Sequence, residues 1–204
     1  MNEKKSSEDK SNVVVKLNEQ IKELTKMLEE RERQLSEALK TIKKIINTDP
    51  LTGIYNRKAF EKLLKKEISF AKRHNLPLSA AMIDIDHFKN INKKYGHEEG
   101  DKILKNFAKT LLKSIRQEDI LARYTGDQFA LIYPNTQVEF ALLACDRIRQ
   151  KIEKKKFRNV NLKITASFGI TQLLNEDDSK TIIKRASEAL YTAKRKGGNL
   201  CKIK

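Results

Sequence analysis

Two short acidic segments, each beside apolar runs, restrict most strongly what this chain can fold into. The first follows the apolar run 80–83, so Asp84 and Asp86 fall on one face at the carboxyl end of a predicted buried strand. The second, 124–129, separates two apolar runs and predicts a β-hairpin with Asp127 at its tip. Two carboxylates brought together from separate strands suit a hard cation such as Mg²⁺ that holds phosphates. The residues alone leave a second interpretation open, because Gly-Asp is also common in ordinary turns.

The amino-terminal part of the chain carries a heptad repeat. The apolar residues of its two seam positions are Val14, Ile21, Leu28, Leu35 and Ile42, and Leu17, Leu24, Ala38 and Ile45. Arg31 is the one break in the second seam. A narrow stripe over about five heptads predicts a parallel coiled-coil dimer over 13–48. A lone amphipathic helix lying on the domain is the alternative, but it would show a wider stripe.

The heptad region is bounded on both sides. Residues 1–12 are polar and are predicted to be disordered. Asp49-Pro50 ends the long helix, because the residue before a proline avoids the helical conformation. The remaining residues, 49–204, are predicted to form one domain.

Helical and strand patterns alternate through this domain. Predicted helices span 57–74, 101–116, 137–156 and 179–195, and predicted strands span 79–86, 163–171 and 200–203, in addition to the hairpin over 120–133. This alternation predicts an α/β sandwich in which helices pack on one sheet.

The composition restricts the class of protein. A chain of 204 residues with 39% hydrophobic content can bury one ordinary core and carry an appendage. The two cysteines, Cys145 and Cys201, are far apart and indicate neither a disulfide framework nor a cysteine-rich zinc site. No apolar stretch approaches the roughly 20 residues of a membrane span, and the amino end lacks the apolar core of a signal peptide. We therefore expect a cytoplasmic protein without a membrane span.

The net charge of +16 would ordinarily favour nucleic-acid binding. Here the lysines alternate with apolar residues on helical segments, as on a solvated helix face. No aromatic residues interleave with them to stack on bases. We therefore expect no dedicated nucleic-acid binding, although the positive field would attract anionic nucleotides.

Five ordered motifs give the chain a resemblance to a known family. They are Asp49-Pro50-Leu51-Thr52-Gly53-Ile54-Tyr55-Asn56-Arg57, Asp84-x-Asp86-x-Phe88-Lys89-x-x-Asn92, Gly96-His97-x-x-Gly100-Asp101, Thr125-Gly126-Asp127-Gln128-Phe129 and Ala189-Leu190-Tyr191-x-Ala193-Lys194. From Asp49 to the carboxyl end, their order and spacing resemble the GGDEF domain family of diguanylate cyclases. The resemblance implies the palm-like α/β fold of nucleotidyl cyclases and polymerases, with a central, mostly antiparallel sheet flanked by helices. In this chain a long coiled-coil helix would precede that fold.

The resemblance also implies a metal and nucleotide site. Asp84, Asp127 and the carbonyl of Ile85 would bind Mg²⁺ or Mn²⁺, and Gln128 would join Asp84 and Asp127 as a catalytic residue. The residues that would bind the nucleotide are His87, Phe88, Lys89, Asn92, Asp101, Gly126 and Lys194.

Within that set, the implied roles differ. The backbone N–H groups of 87–89 and the ammonium of Lys194 would meet the phosphates. Asn92 and Asp101 would read the edge of a guanine, which favours GTP over ATP. Without the resemblance, Asp101 would be interpreted as a helix N-cap.

The reaction implied by the resemblance condenses two GTP molecules into cyclic di-GMP and two pyrophosphates. Each domain would bind one GTP, so two domains would have to face each other in a homodimer joined by the coiled coil. Arg116 and Asp119 resemble an R-x-x-D motif at which cyclic di-GMP binds and inhibits. An ion pair at i, i+3 on a helix end would give the same pattern.

Three positions depart from the family pattern. Thr125 replaces a glycine, Gln128 replaces a carboxylate, and Gly198 replaces an arginine. The departures weaken the same catalytic step, so we expect a slow diguanylate cyclase or, alternatively, an inactive receptor. Such a receptor would bind cyclic di-GMP through the R-x-x-D motif, or GTP in the former active site. A plain dimerisation module would leave the base-reading pair unexplained.

Overall fold

The computed structural model describes residues 2–155 and 163–204 of the chain. The chain divides into two compact units, 1–46 and 47–204. The last residue of the predicted helix 137–156 lies outside the described residues.

The first unit consists of one long helix, α1 (Asn2–Asn47). Residues 2–12 belong to this helix, in contrast to their predicted disorder. Lysine and glutamate are good helix formers, and extending an existing helix avoids the cost of nucleation.

The apolar stripe of α1 faces solvent in the single chain. Seven seam residues are 50% to 70% exposed, namely Leu17, Ile21, Leu24, Leu28, Leu35, Ile42 and Ile45. Three further exposed apolar residues, Met27, Leu39 and Ile46, flank the seam. An exposed stripe of this kind is what a coiled-coil partner would bury, and the dimer stays a prediction.

The second unit is built on one six-stranded sheet in the order β1-β3-β4-β2-β5-β6. The strands are β1 (Tyr55–Asn56), β2 (Leu78–Ile85), β3 (Ile120–Thr125), β4 (Gln128–Pro134), β5 (Ala166–Gln172) and β6 (Cys201–Ile203). The central pairs β3-β4, β4-β2 and β2-β5 are antiparallel, whereas the outer pairs β1-β3 and β5-β6 are parallel. The predicted mostly antiparallel sheet is therefore confirmed.

Five helices cover the sheet. They are α2 (Arg57–His74), α3 (Phe88–Tyr95), α4 (His97–Leu112), α5 (Val138–Lys154) and α6 (Ser179–Arg195). The core on one face of the sheet lies under α2 and α6. It includes Phe60 of α2, Met82 of β2 and Ile182 of α6. The core on the other face lies under α3, α4 and α5. It includes Phe107 of α4 and Phe129 of β4.

One helix was not predicted, and another has different bounds. The sequence pattern predicts a single helix over 101–116, but the structure has α3 and α4, separated by Gly96 at φ 82°. Asp101 consequently lies inside α4, whose N-cap is Gly96. The alternative interpretation of Asp101 as a helix N-cap is wrong.

Strand β2 lies in the middle of the sheet and is buried along its whole length. A strand covered on both faces shows a continuous apolar run rather than an alternating pattern. The run ends in Asp84, which is the one carboxylate in the strand. The central strand therefore delivers this side chain to the end of the sheet.

Helix α6 packs very closely on β5. A Cβ atom added at Gly169 would lie 2.0 Å from the backbone nitrogen of Leu190 and 2.1 Å from the carbonyl oxygen of Ala186. Only glycine permits this approach, which also sets the position of Lys194 near the end of the same helix.

Candidate active site

Asp84 is the most buried carboxylate of the predicted metal site, with 8% of the residue exposed. It pairs in register with Gln128, the first residue of β4. The Nε2 atom of Gln128 donates a hydrogen bond to Oδ2 of Asp84 at 3.2 Å. Burial raises the pKa of the Asp84 carboxyl, and the nearby charge of Asp127 adds to this, although Lys194 and Gln128 act in the opposite direction.

Lys194 reaches this site from α6. Its ammonium forms an ion pair with Oδ1 of Asp84 and donates a hydrogen bond to the carbonyl oxygen of Ile85 at 3.3 Å. These two residues supply the oxygens that the sequence analysis assigned to a metal ion. A positive charge therefore already lies beside the two predicted ligands.

The available groups fit a hard divalent cation. Asp127 occupies the two-residue turn between β3 and β4, is half-buried, and acts electrostatically on Asp84. Carboxylate and carbonyl oxygens are the donors that Mg²⁺ prefers. Within residues 2–155 and 163–204, no group of three or more His, Cys, Asp or Glu side chains could hold a metal ion. A metal bound by Asp84, Asp127 and the Ile85 carbonyl would consequently take its other ligands from substrate phosphates and water.

Asp86, the second carboxylate of the acidic segment, has a structural role. Its carboxylate accepts hydrogen bonds from the hydroxyls of Thr165 and Ser167 and from the backbone N–H of Asn199, each at 2.8 Å. A Cβ atom added at Gly198 would lie 3.0 Å from this carboxylate, and Gly198 has φ 76°. A side chain at position 198 would thus have to fit beside a buried carboxylate.

The predicted phosphate-binding turn follows β2 directly. His87 is exposed and adopts a left-handed conformation with φ 56°, which turns the chain into α3. Phe88 is 7% exposed and anchors the first turn in the core, while Lys89 is exposed. The first N–H groups of a helix have no partner within the helix, so this turn can donate to an anion.

Asn92 presents an unusual acceptor. Its Oδ1 atom is buried, and no hydrogen-bond partner reaches it from the described part of the chain. A Cβ atom at Gly100 would lie 1.9 Å from that oxygen, so glycine is required to leave it room. A buried acceptor without a partner costs roughly 1–3 kcal/mol, which a ligand N–H would recover. Asp101, the other predicted base-reading residue, is exposed on α4 next to Gly100.

The hairpin turn is tied to the start of the domain by Arg123, which the sequence analysis did not identify. Its Nε atom donates to the carbonyl of Gly126 at 2.8 Å, and its Nη1 atom lies 3.2 Å from Oδ1 of Asp49. Burial opposes ionisation of Asp49, but hydrogen bonds from Thr52 and the charge of Arg123 lower the pKa of its carboxyl. Gly126 has φ 51°, and Thr125 is exposed.

The R-x-x-D residues line a separate cavity of about 340 Å³. The backbone N–H of Arg116 donates to Oδ2 of Asp119 at 2.8 Å, in a loop beyond the end of α4 at Leu112. The alternative of an ion pair on a helix end is therefore wrong. Arg147 of α5 lines the same cavity. No pattern in the sequence singles out this residue, because a lone arginine on a polar helix is ordinary.

The structure thus separates the predicted residues into groups. It brings together Asp84, Ile85, Gln128 and Lys194, with Asp127 close enough to act on Asp84. Asn92 and Asp101 lie on α3 and α4. Arg116 and Asp119 lie at the separate cavity. No helix in the described ranges is long and apolar enough to span a membrane.

The chain belongs to the family described as "Diguanylate cyclase, GGDEF domain", whose sequence profile matches residues 46–200. It is 41% identical over 152 residues to the diguanylate cyclase DgcP of Pseudomonas aeruginosa, covering 74% of this chain and 23% of that protein. It is 37% identical over 157 residues to the response regulator PleD of Caulobacter vibrioides, and the match covers 74% of this chain and 35% of that protein. The chain therefore spans about a quarter to a third of the length of these curated relatives.

Solved structures show the same fold. The coiled coil and GGDEF domain of DgcB from Caulobacter crescentus, in complex with c-di-GMP, matches with a TM-score of 0.82 and 31% identity, over 89% of this chain and 97% of that chain. The active GGEEF domain of a diguanylate cyclase from Vibrio cholerae matches with a TM-score of 0.70 and 36% identity, over 72% and 96%.

Proposed function

We propose that this protein is a diguanylate cyclase that condenses two GTP molecules into cyclic di-GMP and two pyrophosphates in the cytoplasm. The observation that carries the proposal is the pair of oxygens, from Asp84 and Ile85, that already share one cation, the Lys194 ammonium. Such a pair at the end of the central strand supports a site for a metal-bound triphosphate in a member of this family.

Asp84, Asp127 and the carbonyl of Ile85 would hold Mg²⁺ or Mn²⁺. When bound, the metal neutralises phosphate charge and helps to align the α-phosphate for displacement. Lys194 would give up its place beside Asp84 and direct its ammonium to the phosphates. The N–H groups of the turn over His87, Phe88 and Lys89, together with the open backbone at Gly126, would receive the remaining phosphate oxygens.

Asn92 and Asp101 would select the base. The buried Oδ1 of Asn92 lacks a partner among the described residues, so a guanine N–H group can donate to it. The Asp101 carboxylate would accept from a second guanine N–H. A nucleotide without these donors would leave Asn92 unsatisfied, which supports discrimination against adenine.

The reaction requires two such sites. The 3′-hydroxyl of each GTP would attack the α-phosphorus of the other and displace pyrophosphate. A homodimer through the heptads of 13–48 would raise the effective concentration of the second half-site. The exposed apolar stripe on α1 supports this arrangement.

The amide side chain of Gln128 supports the proposal that turnover is slow. Its amide holds Asp84 by a hydrogen bond, but it cannot accept a proton or add negative charge for the metal. The family has a carboxylate at this position, which would also repel Asp84. Gln128 would therefore position Asp84, but it would not activate the attacking hydroxyl.

The direct test incubates protein freed of bound nucleotide with GTP and Mg²⁺ or Mn²⁺, and detects cyclic di-GMP by chromatography and mass spectrometry. We expect product from the wild type and none from Asp84→Ala. The matched control is Glu176→Ala, which removes an exposed carboxylate outside the site. Failure of the wild type to form product would overturn the proposal.

A second function, a receptor for cyclic di-GMP or GTP, is favoured by one observation. The cavity of Arg116 and Asp119 also contains Arg147, and two guanidinium groups suit guanine or phosphate. In an enzyme, the same cavity would bind cyclic di-GMP as an inhibitor.

The double substitution Thr125→Gly and Gln128→Glu separates the two functions. A large gain in turnover would identify a real enzyme limited at these positions. No turnover before or after the change, with cyclic di-GMP binding that disappears in Arg116→Ala, would identify a receptor.

A further inference from the structure

A second cavity, of about 330 Å³, lies between α4 and α5. Four of its lining residues are lysines, namely Lys109, Lys113, Lys151 and Lys155, and the other two are Asn106 and Thr110. No Asp or Glu of residues 2–155 and 163–204 belongs to this lining. We call it the lysine cavity.

Neutral oxygens hold two of these lysines in position. The Nζ atom of Lys155 donates to the carbonyl oxygen of Asn106 at 3.2 Å and to the hydroxyl of Thr110. The Nζ atom of Lys151 donates to the hydroxyl of Ser114 at 3.0 Å. These bonds orient the ammonium groups, and the oxygens that accept them carry no net charge.

The four positive charges act on one another. Burial lowers the pKa of Lys155, and the neighbouring ammonium groups of Lys113, Lys151 and Lys109 lower it further. A bound anion would relieve this repulsion.

We propose that the lysine cavity binds a small anion with two or more phosphate groups. Its volume lies at the lower end of the range of about 300–1,000 Å³ for small-molecule sites. Four ammonium groups match the charge of a di- or triphosphate, and among the described residues no aromatic ring lines the cavity to stack on a base. A concave cavity of this size suits a compact anion better than a flat membrane surface.

The lysine cavity adjoins the cavity of Arg116. Ser114 lines that neighbouring cavity, and its hydroxyl accepts the bond from Lys151. Its carbonyl oxygen accepts a hydrogen bond from Arg147 at 3.5 Å. An anion in the lysine cavity would therefore act electrostatically on a ligand at Arg116, and the experiment must separate the two sites.

The test titrates the full chain with inorganic tripolyphosphate by calorimetry, without divalent metal and at fixed ionic strength. The double variant Lys109→Gln/Lys113→Gln changes two exposed side chains. We expect it to weaken binding at least about tenfold, the effect of losing a charge-assisted contact. Lys62→Gln/Lys66→Gln on α2 is the matched control, because it removes the same charge at the same spacing. We expect the tripolyphosphate affinity of this control variant to change by less than about twofold.

Three outcomes would overturn the proposal. An equal loss of affinity in the two double variants would mean that tripolyphosphate binding depends only on the net charge of the chain. A loss of tripolyphosphate affinity in Lys194→Ala or Arg116→Ala, with the affinity of Lys109→Gln/Lys113→Gln unchanged, would assign the anion to one of the other two sites. Preferential loss of binding to phosphatidylglycerol vesicles in Lys109→Gln/Lys113→Gln, with tripolyphosphate binding retained, would assign this face to a membrane.

Discussion

At the scale of single residues, Asn92 and Gly100 work as a pair. The amide oxygen of Asn92 can stay buried and available only because position 100 has no Cβ atom. The specificity we propose for guanine therefore depends on a residue that contacts no base itself. A pattern of residue types along the sequence does not reveal such a dependence.

Gly100→Ala should weaken GTP binding at least about tenfold, because the new methyl group would displace the Asn92 amide. The free energy of unfolding should change by less than about 1 kcal/mol, because alanine favours the helix and the displaced amide is flexible. Fluorescent GTP titration and urea unfolding would measure the two effects. Lys105→Ala, an exposed change on α4, should affect neither. Unchanged GTP affinity in Gly100→Ala would remove Asn92 from the base-reading role.

At the scale of secondary-structure elements, α6 determines much of the domain. It packs closely on β5 through Gly169, carries Lys194 to the proposed metal site, and is fixed at its start by Asp177 and Arg185. Asp177 is buried, accepts a hydrogen bond from the backbone N–H of Leu174 and forms an ion pair with Arg185. These contacts make α6 a rigid support for the site.

Gly169→Ala should lower the free energy of unfolding by about 3 kcal/mol or more, because the methyl group would meet the backbone of α6. Gly53→Ala is a suitable comparison, since position 53 is open but has φ 74°. It should cost only about 1–2 kcal/mol of backbone strain. Equal effects in chemical denaturation would contradict the close packing of α6 on β5.

Asp177 should make the stability of the domain depend on pH. Burial opposes its ionisation, but the hydrogen bonds from Arg185 and Leu174 keep the pKa of its carboxyl below the ordinary value. A lowered pKa means that its stabilising contribution is present above the unfolded pKa of about 3.9 and is lost as the pH falls through the folded value.

Asp177→Asn should therefore lower the free energy of unfolding at neutral pH by about 3 kcal/mol. The difference from the wild type should shrink below about pH 4. Urea unfolding over a pH series would measure this, with the exposed Glu176→Gln as the control. A difference that does not change with pH would exclude the ion pair as its cause.

The bounds of α2 and α6 agree with the sequence prediction because both helices begin at side-chain caps. Asn56 accepts a hydrogen bond from the N–H of Ala59, and Asp178 forms a capping box with Thr181. Helices α3 and α4 begin directly after His87 and Gly96, which make no side-chain cap, and α3 was not predicted.

The same limit applies to the site. Its carboxylates and lysine stand in recognisable motifs, whereas Arg123 and Arg147 act through contacts between distant segments. Pattern reasoning along the chain could not find those contacts.

At the scale of the whole molecule, the predicted dimer would decide whether two half-sites can meet. Leu28→Glu/Leu35→Glu would place charge at two exposed seam positions of α1. We expect a monomer by sedimentation, and cyclic di-GMP formation lowered at least about tenfold at low protein concentration.

The GTP affinity per chain should stay within about twofold in that variant, because the proposed nucleotide contacts belong to one domain. Lys22→Glu/Ser36→Glu, on exposed positions outside the seam, should remain dimeric. Full turnover by a monomeric variant would exclude the coiled coil as the means of pairing.

The buried carboxylate of Asp86 makes position 198 less tolerant of substitution than positions 125 and 128. Thr125 is exposed and Gln128 is half-buried. An arginine at position 198 would bring a Cβ atom to 3.0 Å from Asp86, which Thr165, Ser167 and Asn199 hold in place. Gly198→Arg would therefore combine a left-handed backbone conformation, which favours glycine, with a displacement of the Asp86 carboxylate.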